Sequence, residues 1–273
     1  MQISKEFISS KLVINKNRRK CFIFDLDGTI IFNNQFLSKD VEELLLKIKD
    51  EGHEIIFATG RPLREFKNVM PLWAHVHPLG LFSGVVSYHK DNLIRSNEID
   101  SNHLSHIAEF CEANKHPFIM DSLTHYYHPH MDNMVFGFLA DTKKEFHISD
   151  MSKFINNEVY KVWVFDMEAH DYFSDYSKTN GLLIKHHSYD KCFDIVPLEC
   201  NKYISVLPFI GEFTNEDIFA FGNDYNDYEL FKHFNNSVLF GNVEELQKIT
   251  KLNIHYDEDL RANFEVLIKT ILG

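Results

Sequence analysis

Two aspartates with one residue between them, Asp25 and Asp27, follow the apolar segment Cys21–Phe24 and precede Gly28. An apolar run of this kind is typical of a parallel strand that is buried on both faces. Open α/β sheets bind their ligands at the carboxyl ends of such strands, and a glycine there lets the backbone turn sharply near a ligand. The alternative for this stretch alone is a strand that ends in an ordinary Asp-Gly turn. The pair of carboxylates favours a ligand-binding loop.

Three further loops carry polar side chains that suit phosphate chemistry, and each follows an apolar strand or begins a helix. They contain Thr59, Gly60 and Arg61, then Lys202, and finally residues 223–227 with the sequence Asn-Asp-Tyr-Asn-Asp. Carboxylate and amide oxygens are the ligands that Mg²⁺ prefers, whereas the hydroxyl of Thr59 and the ammonium of Lys202 can hold phosphate oxygens. Because carboxylates repel phosphate, nearby cations must offset that repulsion. The four loops together predict a Mg²⁺-assisted phosphate site.

The elements that must position these loops alternate between helix and strand. Residues 38–52 have apolar side chains at helical spacing, and residues 54–58 have the composition of a strand. Near the end of the chain the alternation resumes, with strands at 217–221 and 237–240 and helices around them. This order predicts an α/β fold with a doubly wound, Rossmann-like parallel sheet.

The middle of the chain has a different pattern, in which short strands come in pairs with helices between them. Residues 83–194 form this block, which is long enough to have a core of its own. Paired short strands predict an α+β domain with an antiparallel sheet. We therefore expect a discontinuous core domain at 21–82 and 195–273, an inserted domain at 83–194 and an N-terminal extension at 1–20.

The composition limits the classes of partner. The chain has 273 residues and a formal net charge of −12, from 40 acidic and 28 basic side chains. This balance argues against non-specific nucleic-acid binding and against adsorption to anionic membranes, but not against a small anionic ligand. The four cysteines lack C-x-x-C spacing, so we expect buried thiols in a reducing compartment. With no long apolar run and no secretion signal, we expect a cytoplasmic protein.

The motifs occur in a fixed order: D-x-D-G-T at 25–29, T-G-R at 59–61, a lysine at 202 and G-x-x-x-N-D at 222–227. This order resembles the haloacid dehalogenase (HAD) superfamily of phosphatases. The large insertion is similar to that of the Cof-type branch, which has a large α/β cap domain. The resemblance covers nearly the whole chain and implies a HAD core with an inserted α+β cap.

The resemblance implies a role for each matching residue. Asp25 would be the nucleophile that forms an aspartyl-phosphate. Asp27 would protonate the leaving oxygen and then activate the attacking water. The expected phosphate- and substrate-binding residues are Thr59, Gly60, Arg61, Lys202 and Asn226. The expected Mg²⁺ ligands are Asp25, Asp27 through its backbone carbonyl, Asn223 and Asp227.

Several positions leave alternatives open. Asn223 stands where the family usually has a metal-binding carboxylate, and Asp224 is the alternative ligand. Tyr203 stands where the family commonly has glycine, so its ring either alters the phosphate pocket or packs. Ser83 stands where the family usually has asparagine. Arg61 is either a substrate contact or the partner of a structural ion pair.

Histidines cluster at two places in the predicted insertion. The first group is His125, His128 and His130. No cysteine is near it and a proline restricts its geometry, so we expect cap-surface or substrate-pocket residues rather than a zinc site. The pair at 186–187 is expected to be a polar strand end. The expected specificity residues of the cap are Asp121, His125 and Tyr127.

The sequence therefore predicts a Mg²⁺-dependent phosphohydrolase that acts on a small phosphorylated metabolite through an aspartyl-phosphate. A large cap favours a small substrate, closed away from water, over a phosphoprotein. Sugar phosphates are the expected class, with flavin mononucleotide (FMN) and pyridoxal phosphate as alternatives. A phosphotransferase or mutase of the same chemistry is an alternative function, and so is a non-catalytic phosphometabolite sensor. The oligomeric state stays open.

Overall fold

The computed structural model describes residues 3–32, 36–129, 146–155, 158–186, 191–255 and 259–273. Its helices are α1 (Lys5–Lys11), α2 (Lys39–Asp50), α3 (Leu63–Val69), α4 (Ser101–Asn114), α5 (Met151–Phe154), α6 (His170–Thr179), α7 (Lys202–Val206), α8 (Tyr228–His233), α9 (Glu244–Gln247) and α10 (Leu260–Leu272). Its strands are β1 (Cys21–Phe24), β2 (Glu54–Ala58), β3 (Leu79–Leu81), β4 (Val86–His89), β5 (Asn92–Arg95), β6 (Phe118–Ser122), β7 (Tyr126–Tyr127), β8 (Val159–Val164), β9 (Leu182–His186), β10 (Phe193–Pro197), β11 (Ile218–Gly222), β12 (Asn236–Phe240) and β13 (Leu252–Ile254).

Contacts divide the chain into two compact units. The first contains Met1–Gly60, Val69–Ile94 and Asn201–Gly273, and the second contains Arg61–Asn68 and Arg95–Cys200. Each unit has its own sheet.

The first unit is built on an eight-stranded sheet with the order β13-β12-β11-β1-β2-β3-β4-β5. The strands from β13 to β3 are parallel, and β4 runs antiparallel to β3. The strand order reverses at β1, which pairs with β11 on one side and β2 on the other. The predicted α/β, doubly wound and Rossmann-like fold is confirmed, and ligands bind at such a switch point.

The central strand β1 is buried on both faces, as its unbroken apolar sequence predicts. On one face Phe24 stacks on Phe221 of β11, with ring centroids 4.7 Å apart. On the other face Cys21 and Ile23 pack in a cluster that includes Val206 of α7. Packing on both faces fixes the strand, and with it the position of the residue that follows Phe24.

The second unit is built on a five-stranded sheet with the order β7-β6-β8-β10-β9, and its neighbouring strands are antiparallel. One face forms an apolar core with residues of α4 and α6, and it includes Phe118, Val162 and Phe193. Because side chains alternate along a strand, the neighbouring positions lie on the other face. Three buried charged residues occupy that face: Asp121, Lys161 and Asp194.

The units have other bounds than the predicted domains. β4 and β5 continue the first sheet instead of starting the insertion, whereas α3 groups with the second unit up to residue 68. The turn between β4 and β5 has Lys90 and Asp91 at φ 48° and 60°, which is the geometry of a tight hairpin. A hairpin pattern predicts two strands but does not tell which sheet they join. The assignment of a substrate role to an inserted cap stays a prediction.

The segment before β1 is part of the first unit. Its helix α1 is capped by Ser4, whose hydroxyl accepts from the Phe7 amide, and Ile8 is fully buried. Among the basic residues before β1, Arg18 forms an ion pair with Asp217 at 2.7 Å. The segment therefore packs on the core rather than extending from it.

The sequence of residues 201–213 predicts a helix that Pro208 bends or breaks. The structure has α7 followed by a short 3₁₀ turn at Leu207–Phe209, where the proline removes a backbone donor. Residues 134–139, whose sequence predicts a strand, lie outside the described residues. All four cysteines are buried and form no disulfide. No helix in the described part of the chain is long and apolar enough to cross a membrane.

Candidate active site

The carboxyl end of β1 places Asp25 in a buried position. Its backbone amide donates to the carbonyl of Phe221 at 2.9 Å, which extends the pairing of β1 with β11 by one residue. One carboxylate oxygen, Oδ1, accepts from the ammonium of Lys202 at 2.5 Å. The other, Oδ2, accepts from the hydroxyl of Thr29 at 3.3 Å. The Asp25 side chain is 7% exposed, and its two carboxylate oxygens are held from two sides.

The ammonium of Lys202 joins two carboxylates. Besides Asp25 it donates to Oδ1 of Asp227 at 2.7 Å, and the lysine is fully buried. Lys202 is the first residue of α7, and the side chain of Asn201 caps that helix by accepting from the Ile204 amide at 2.9 Å. The cap fixes the start of the helix and therefore the base of the lysine side chain.

A glycine on another segment packs against this helix start. Gly84 has φ +105°, and a Cβ built on it would lie 2.0 Å from the carbonyl oxygen of Asn201. No other residue fits, because both the conformation and the space require glycine. Gly84 thus contributes to the position of Lys202 without touching its side chain.

Asp227 organises the loop after β11. Its Oδ1 is bound by Lys202, and its Oδ2 accepts from the amides of Asn223 at 2.9 Å and Asp224 at 3.2 Å. Asp224 and Asp227 together form a capping box at the turn that follows. A Cβ on Gly222 would lie 2.3 Å from Cγ of Asp227, so the carboxylate occupies the space that this glycine leaves.

Burial and neighbouring charges shift the pKa values of Asp25 and Lys202. Burial raises the pKa of Asp25 to about 7; Lys202 opposes this rise, and the negative charge of Asp227 adds to it. Burial acts to lower the pKa of Lys202, but the two carboxylates outweigh it and the pKa is raised. Lys202 therefore stays charged. A carboxylate that burial destabilises gains from a further cation beside it.

The loop after β2 carries Thr59 and Gly60. Thr59 is fully buried, and its amide donates to the carbonyl of Gly80 at 2.8 Å. Its own carbonyl accepts from the amide of Ser83 at 2.9 Å. Ser83 adopts the left-handed conformation, with φ 55°, and asparagine adopts that conformation more readily than most residues. The backbone geometry thus accounts for the asparagine that the family usually has at this position.

Arg61 falls in the second unit. Its guanidinium lies 3.9 Å from the carboxylate of Glu65, one helical turn later, and both side chains are about one-fifth exposed. The ion pair is therefore present, and a substrate contact by Arg61 stays a prediction.

The residues present fit a magnesium ion. No group of three or more His, Cys, Asp or Glu side chains in the described ranges is arranged to hold a metal. However, Mg²⁺ usually takes one or two carboxylates and keeps several waters. Asp25 supplies a carboxylate after β1, and Asn223 is a buried amide in the loop after β11. The Oδ1 atom of Asn226 is buried and has no hydrogen-bond partner among the described residues, so this acceptor is available to a water or an ion.

The structure brings together three of the predicted site residues, Asp25, Lys202 and Asp227, by direct contact. Asp27 lies two residues beyond Asp25 in a half-buried position. The sequence interpretation gave no role to Thr29, Gly84 or Gly222. Thr29 ends the D-x-D-G-T motif and Gly222 begins the last motif, so both were visible as motif positions. No pattern in the sequence indicates that Gly84 packs on Asn201.

The predicted specificity residues of the second unit have different surroundings. Tyr127 packs in the apolar core, and its hydroxyl donates to Glu112 at 3.3 Å. Asp121 is buried and accepts from Arg64 at 2.5 Å, while its other oxygen lies 3.9 Å from the ammonium of Lys161. Sequence reasoning missed Arg64 and Lys161, because their partners are far away along the chain.

The structure also shows the surroundings of Tyr203 and of His128, whose roles the sequence left open. The ring of Tyr203 stacks on His233, with centroids 4.0 Å apart and an interplanar angle of 11°, so the tyrosine packs. His128 stacks on His147 at 4.1 Å. His130 lies outside the described residues.

Comparison with known proteins identifies relatives over most of the chain. A model of the family described as haloacid dehalogenase-like hydrolase matches residues 22–259. A Bacillus subtilis protein provisionally named phosphatase YkrA is 23% identical over 247 residues, which cover 84% of this chain and 90% of the relative. The 5-amino-6-(5-phospho-D-ribitylamino)uracil phosphatase YitU of the same organism is 22% identical over 251 residues, with coverage of 86% and 92%.

Solved structures show the same fold. A protein from Geobacillus kaustophilus HTA426 has a TM-score of 0.77 at 20% identity, and the match covers 93% of this chain and 100% of that one. BT4131, described as a HAD subclass IIB sugar phosphatase, has a TM-score of 0.69 at 19% identity, with coverage of 91% and 99%.

Proposed function

Because the chain belongs to the haloacid dehalogenase-like hydrolase family and is a HAD-type phosphatase, we propose that it removes phosphate from a small phosphorylated metabolite, with Asp25 as the nucleophile and Mg²⁺ as the cofactor. One observation carries the proposal. The Asp25 carboxylate follows the central strand and lies between the Lys202 ammonium and the Thr29 hydroxyl. The alternative of a non-catalytic sensor has no support from the phosphatase relatives.

The first step is attack by a carboxylate oxygen of Asp25 on the phosphorus. A bond from that oxygen to phosphorus forms as the bond from phosphorus to the leaving oxygen breaks. The leaving oxygen takes a proton from Asp27, the half-buried carboxyl two residues later. The fixed ammonium of Lys202 offsets the negative charge of the phosphoryl group and needs no reorganisation to do so.

The second step is hydrolysis of the phosphorylated Asp25. Asp27, now a carboxylate, takes a proton from a water molecule, whose oxygen attacks the phosphorus. The bond between phosphorus and the Asp25 oxygen breaks, so inorganic phosphate leaves and Asp25 is restored. Thr59 and Lys202 bind the phosphoryl oxygens through both steps.

Asp25, the backbone carbonyl of Asp27 and Asn223 would hold Mg²⁺. With Mg²⁺ bound there, the negative charge of the phosphate beside the Asp25 carboxylate would be offset. Asp227 supports the site indirectly in this proposal, because its two oxygens already accept from Lys202 and from two backbone amides. Its carboxylate therefore orients the lysine and the Asn223 loop.

A sugar phosphate is the substrate class that we favour. The name of YitU specifies a phosphoribityl group, and BT4131 is described as a sugar phosphatase. In both cases the phosphate belongs to a polyhydroxylated group. The second unit also offers two buried carboxylates and one buried ammonium, those of Asp121, Asp194 and Lys161, and such groups can bind the hydroxyl groups of a sugar.

The proposal is tested by incubating the full chain with a panel of phosphorylated metabolites and Mg²⁺ and measuring released phosphate. We expect sugar phosphates to be hydrolysed faster than FMN or pyridoxal phosphate. The Asp25→Asn variant is the control, since contaminating phosphatase would survive the substitution. Equal turnover by wild type and variant would reject the mechanism. Transfer only to an added acceptor would assign a phosphotransferase instead.

Asp27→Asn tests the acid role separately. We expect its turnover of sugar phosphates, which have poorly leaving alkoxides, to fall much further than its turnover of an activated aryl phosphate. Equal losses on both substrates would show that Asp27 is not the general acid.

A further inference from the structure

Two imidazole rings of the second unit meet at their Nε2 atoms. His170 is the first residue of α6 and His186 is the last residue of β9, and their Nε2 atoms lie 3.1 Å apart. The ring centroids are 4.6 Å apart. His186 is exposed and the His170 side chain is 23% exposed, so ions from solvent reach the pair.

The two imidazole rings are held by a helix and a strand. Helix α6 packs on β9, and the His170 ring sits edge-on to Phe193, with centroids 5.6 Å apart. His186 is paired with the same Phe193 in the register of β9 and β10. The approach of the two nitrogens therefore follows from the packing of the helix on the sheet, not from a loop.

A carboxylate selects the metal-binding form of His170. Oδ1 of Asp171 lies 3.1 Å from Nδ1 of His170, so the Nδ1 atom carries the proton that it donates. Nε2 then has a lone pair directed at His186. A carboxylate on the far nitrogen is the usual orienting partner of a histidine that binds a metal.

The distance between the nitrogens suits one shared ion. With metal–nitrogen bonds of about 2.0–2.1 Å, nitrogens 3.1 Å apart subtend an angle of about 98° at the ion. That angle lies between the values of square-planar and tetrahedral coordination, the geometries of Cu²⁺ or Ni²⁺ and of Zn²⁺. Mg²⁺ prefers oxygen ligands and does not suit such a pair.

We propose that His170 and His186 bind a divalent cation of the zinc type, with water completing its coordination. The proposal is independent of phosphatase activity and of the Asp25 site. It differs from the sequence prediction, in which the histidines at 186–187 only end a strand. Binding displaces the proton that the two nitrogens share in the ion-free pair, because both must offer lone pairs to the ion.

The test is calorimetric titration of the full chain with Zn²⁺ in the presence of saturating Mg²⁺, which occupies oxygen-ligand sites. We expect one Zn²⁺ per chain. His170→Ala and His186→Ala should each weaken binding by more than about tenfold, and Asp171→Asn by roughly tenfold. His233→Ala is the matched control, because His233 also pairs with a carboxylate, Glu229 at 3.3 Å, but contacts no second imidazole among the described residues.

Two further measurements separate this site from the catalytic one. Asp25→Asn should bind Zn²⁺ as tightly as the wild type. The Cu²⁺ electron paramagnetic resonance spectrum should show two equivalent nitrogen ligands, and one of them should disappear in each histidine variant. Unchanged Zn²⁺ affinity in His170→Ala and His186→Ala, or binding that disappears with Asp25→Asn, would overturn the proposal and leave the pair as an imidazole hydrogen bond.

Discussion

Each unit contains a buried lysine between two aspartates, and the two clusters differ in how closely the charges meet. In the first unit Lys202 lies 2.5 Å from Asp25 and 2.7 Å from Asp227. In the second unit Lys161 lies 3.9 Å from Asp121 and 3.6 Å from Asp194. The first lysine makes two charge-assisted hydrogen bonds. The second makes no hydrogen bond with the described residues, although it lies over the ring of Trp163 at 4.8 Å.

The difference suggests two uses of a buried ammonium. Burial acts to lower the pKa of Lys161, but Asp194 and Asp121 outweigh it and the pKa is raised, so this lysine is charged like Lys202. Lys202 uses its donors to fix the carboxylates of the proposed catalytic machinery. Lys161 retains donors that a ligand can use, because an ammonium has three.

The largest expected effect compares Asp25 with Asp121. Asp25→Asn should lower phosphate release by about 10³-fold or more, because an amide is a poor nucleophile. Asp121→Asn should leave turnover of an aryl phosphate nearly unchanged. Steady-state phosphate release measures both, and circular dichroism checks the folds. A comparable loss in both variants would show that both clusters are required for turnover.

The next effect concerns stability and compares the lysines. Lys202→Met leaves Asp25 and Asp227 buried without their cation, and we expect it to lower the free energy of unfolding by about 3–5 kcal/mol. Lys161→Met should cost less, since Asp121 keeps its 2.5 Å contact with Arg64. Urea denaturation monitored by circular dichroism gives both values. If Lys161→Met lowers the free energy of unfolding as much as Lys202→Met does, the shorter lysine–aspartate distances of the first cluster do not make it contribute more to stability.

A smaller effect tests whether Lys161 contacts the substrate. Because a hydrogen bond to a charged group is worth about 1.5–3 kcal/mol, Lys161→Met should raise the KM for the preferred sugar phosphate by about 10- to 100-fold. The same variant should hydrolyse an aryl phosphate normally. Tyr127→Phe serves as the control, since that hydroxyl bonds to Glu112. An unchanged preference in Lys161→Met would place substrate selection elsewhere.

The smallest effect concerns the charge of the loop after β11. Asn223→Asp adds a negative charge where the family usually has one, so it should lower the Mg²⁺ concentration for half-maximal activity by about three- to tenfold. Asp224→Asn should change it little, because this side chain accepts from the Tyr225 amide at 2.8 Å and asparagine caps a turn almost as well. The reverse ranking would make Asp224 the ligand.

The sequence predicts those features of the structure that follow from local patterns, but not contacts between residues that are far apart along the chain. Asp25 at a strand end and Lys202 at a helix start follow from local apolar patterns, and parallel strands bring such ends together. The contact between Arg64 and Asp121 joins residues 57 positions apart, and neither local pattern indicates it. Gly84 has ordinary neighbours in sequence, and its need to be glycine arises only when Asn201 packs on it. Backbone periodicity predicts elements, whereas such contacts depend on tertiary packing.

The pairing of β1 with β11 has a consequence for synthesis. Cys21 is in register with Ile218, so one edge of the central strand has no partner until almost 200 further residues have been made. At 5–20 residues per second this takes roughly 10–40 s. All residues of the second unit precede Asn201. That unit is therefore complete before β11, β12 and β13 of the first sheet emerge from the ribosome. The nascent chain therefore carries an exposed, phenylalanine-rich strand edge for most of translation, which makes this segment a natural point of contact for a chaperone.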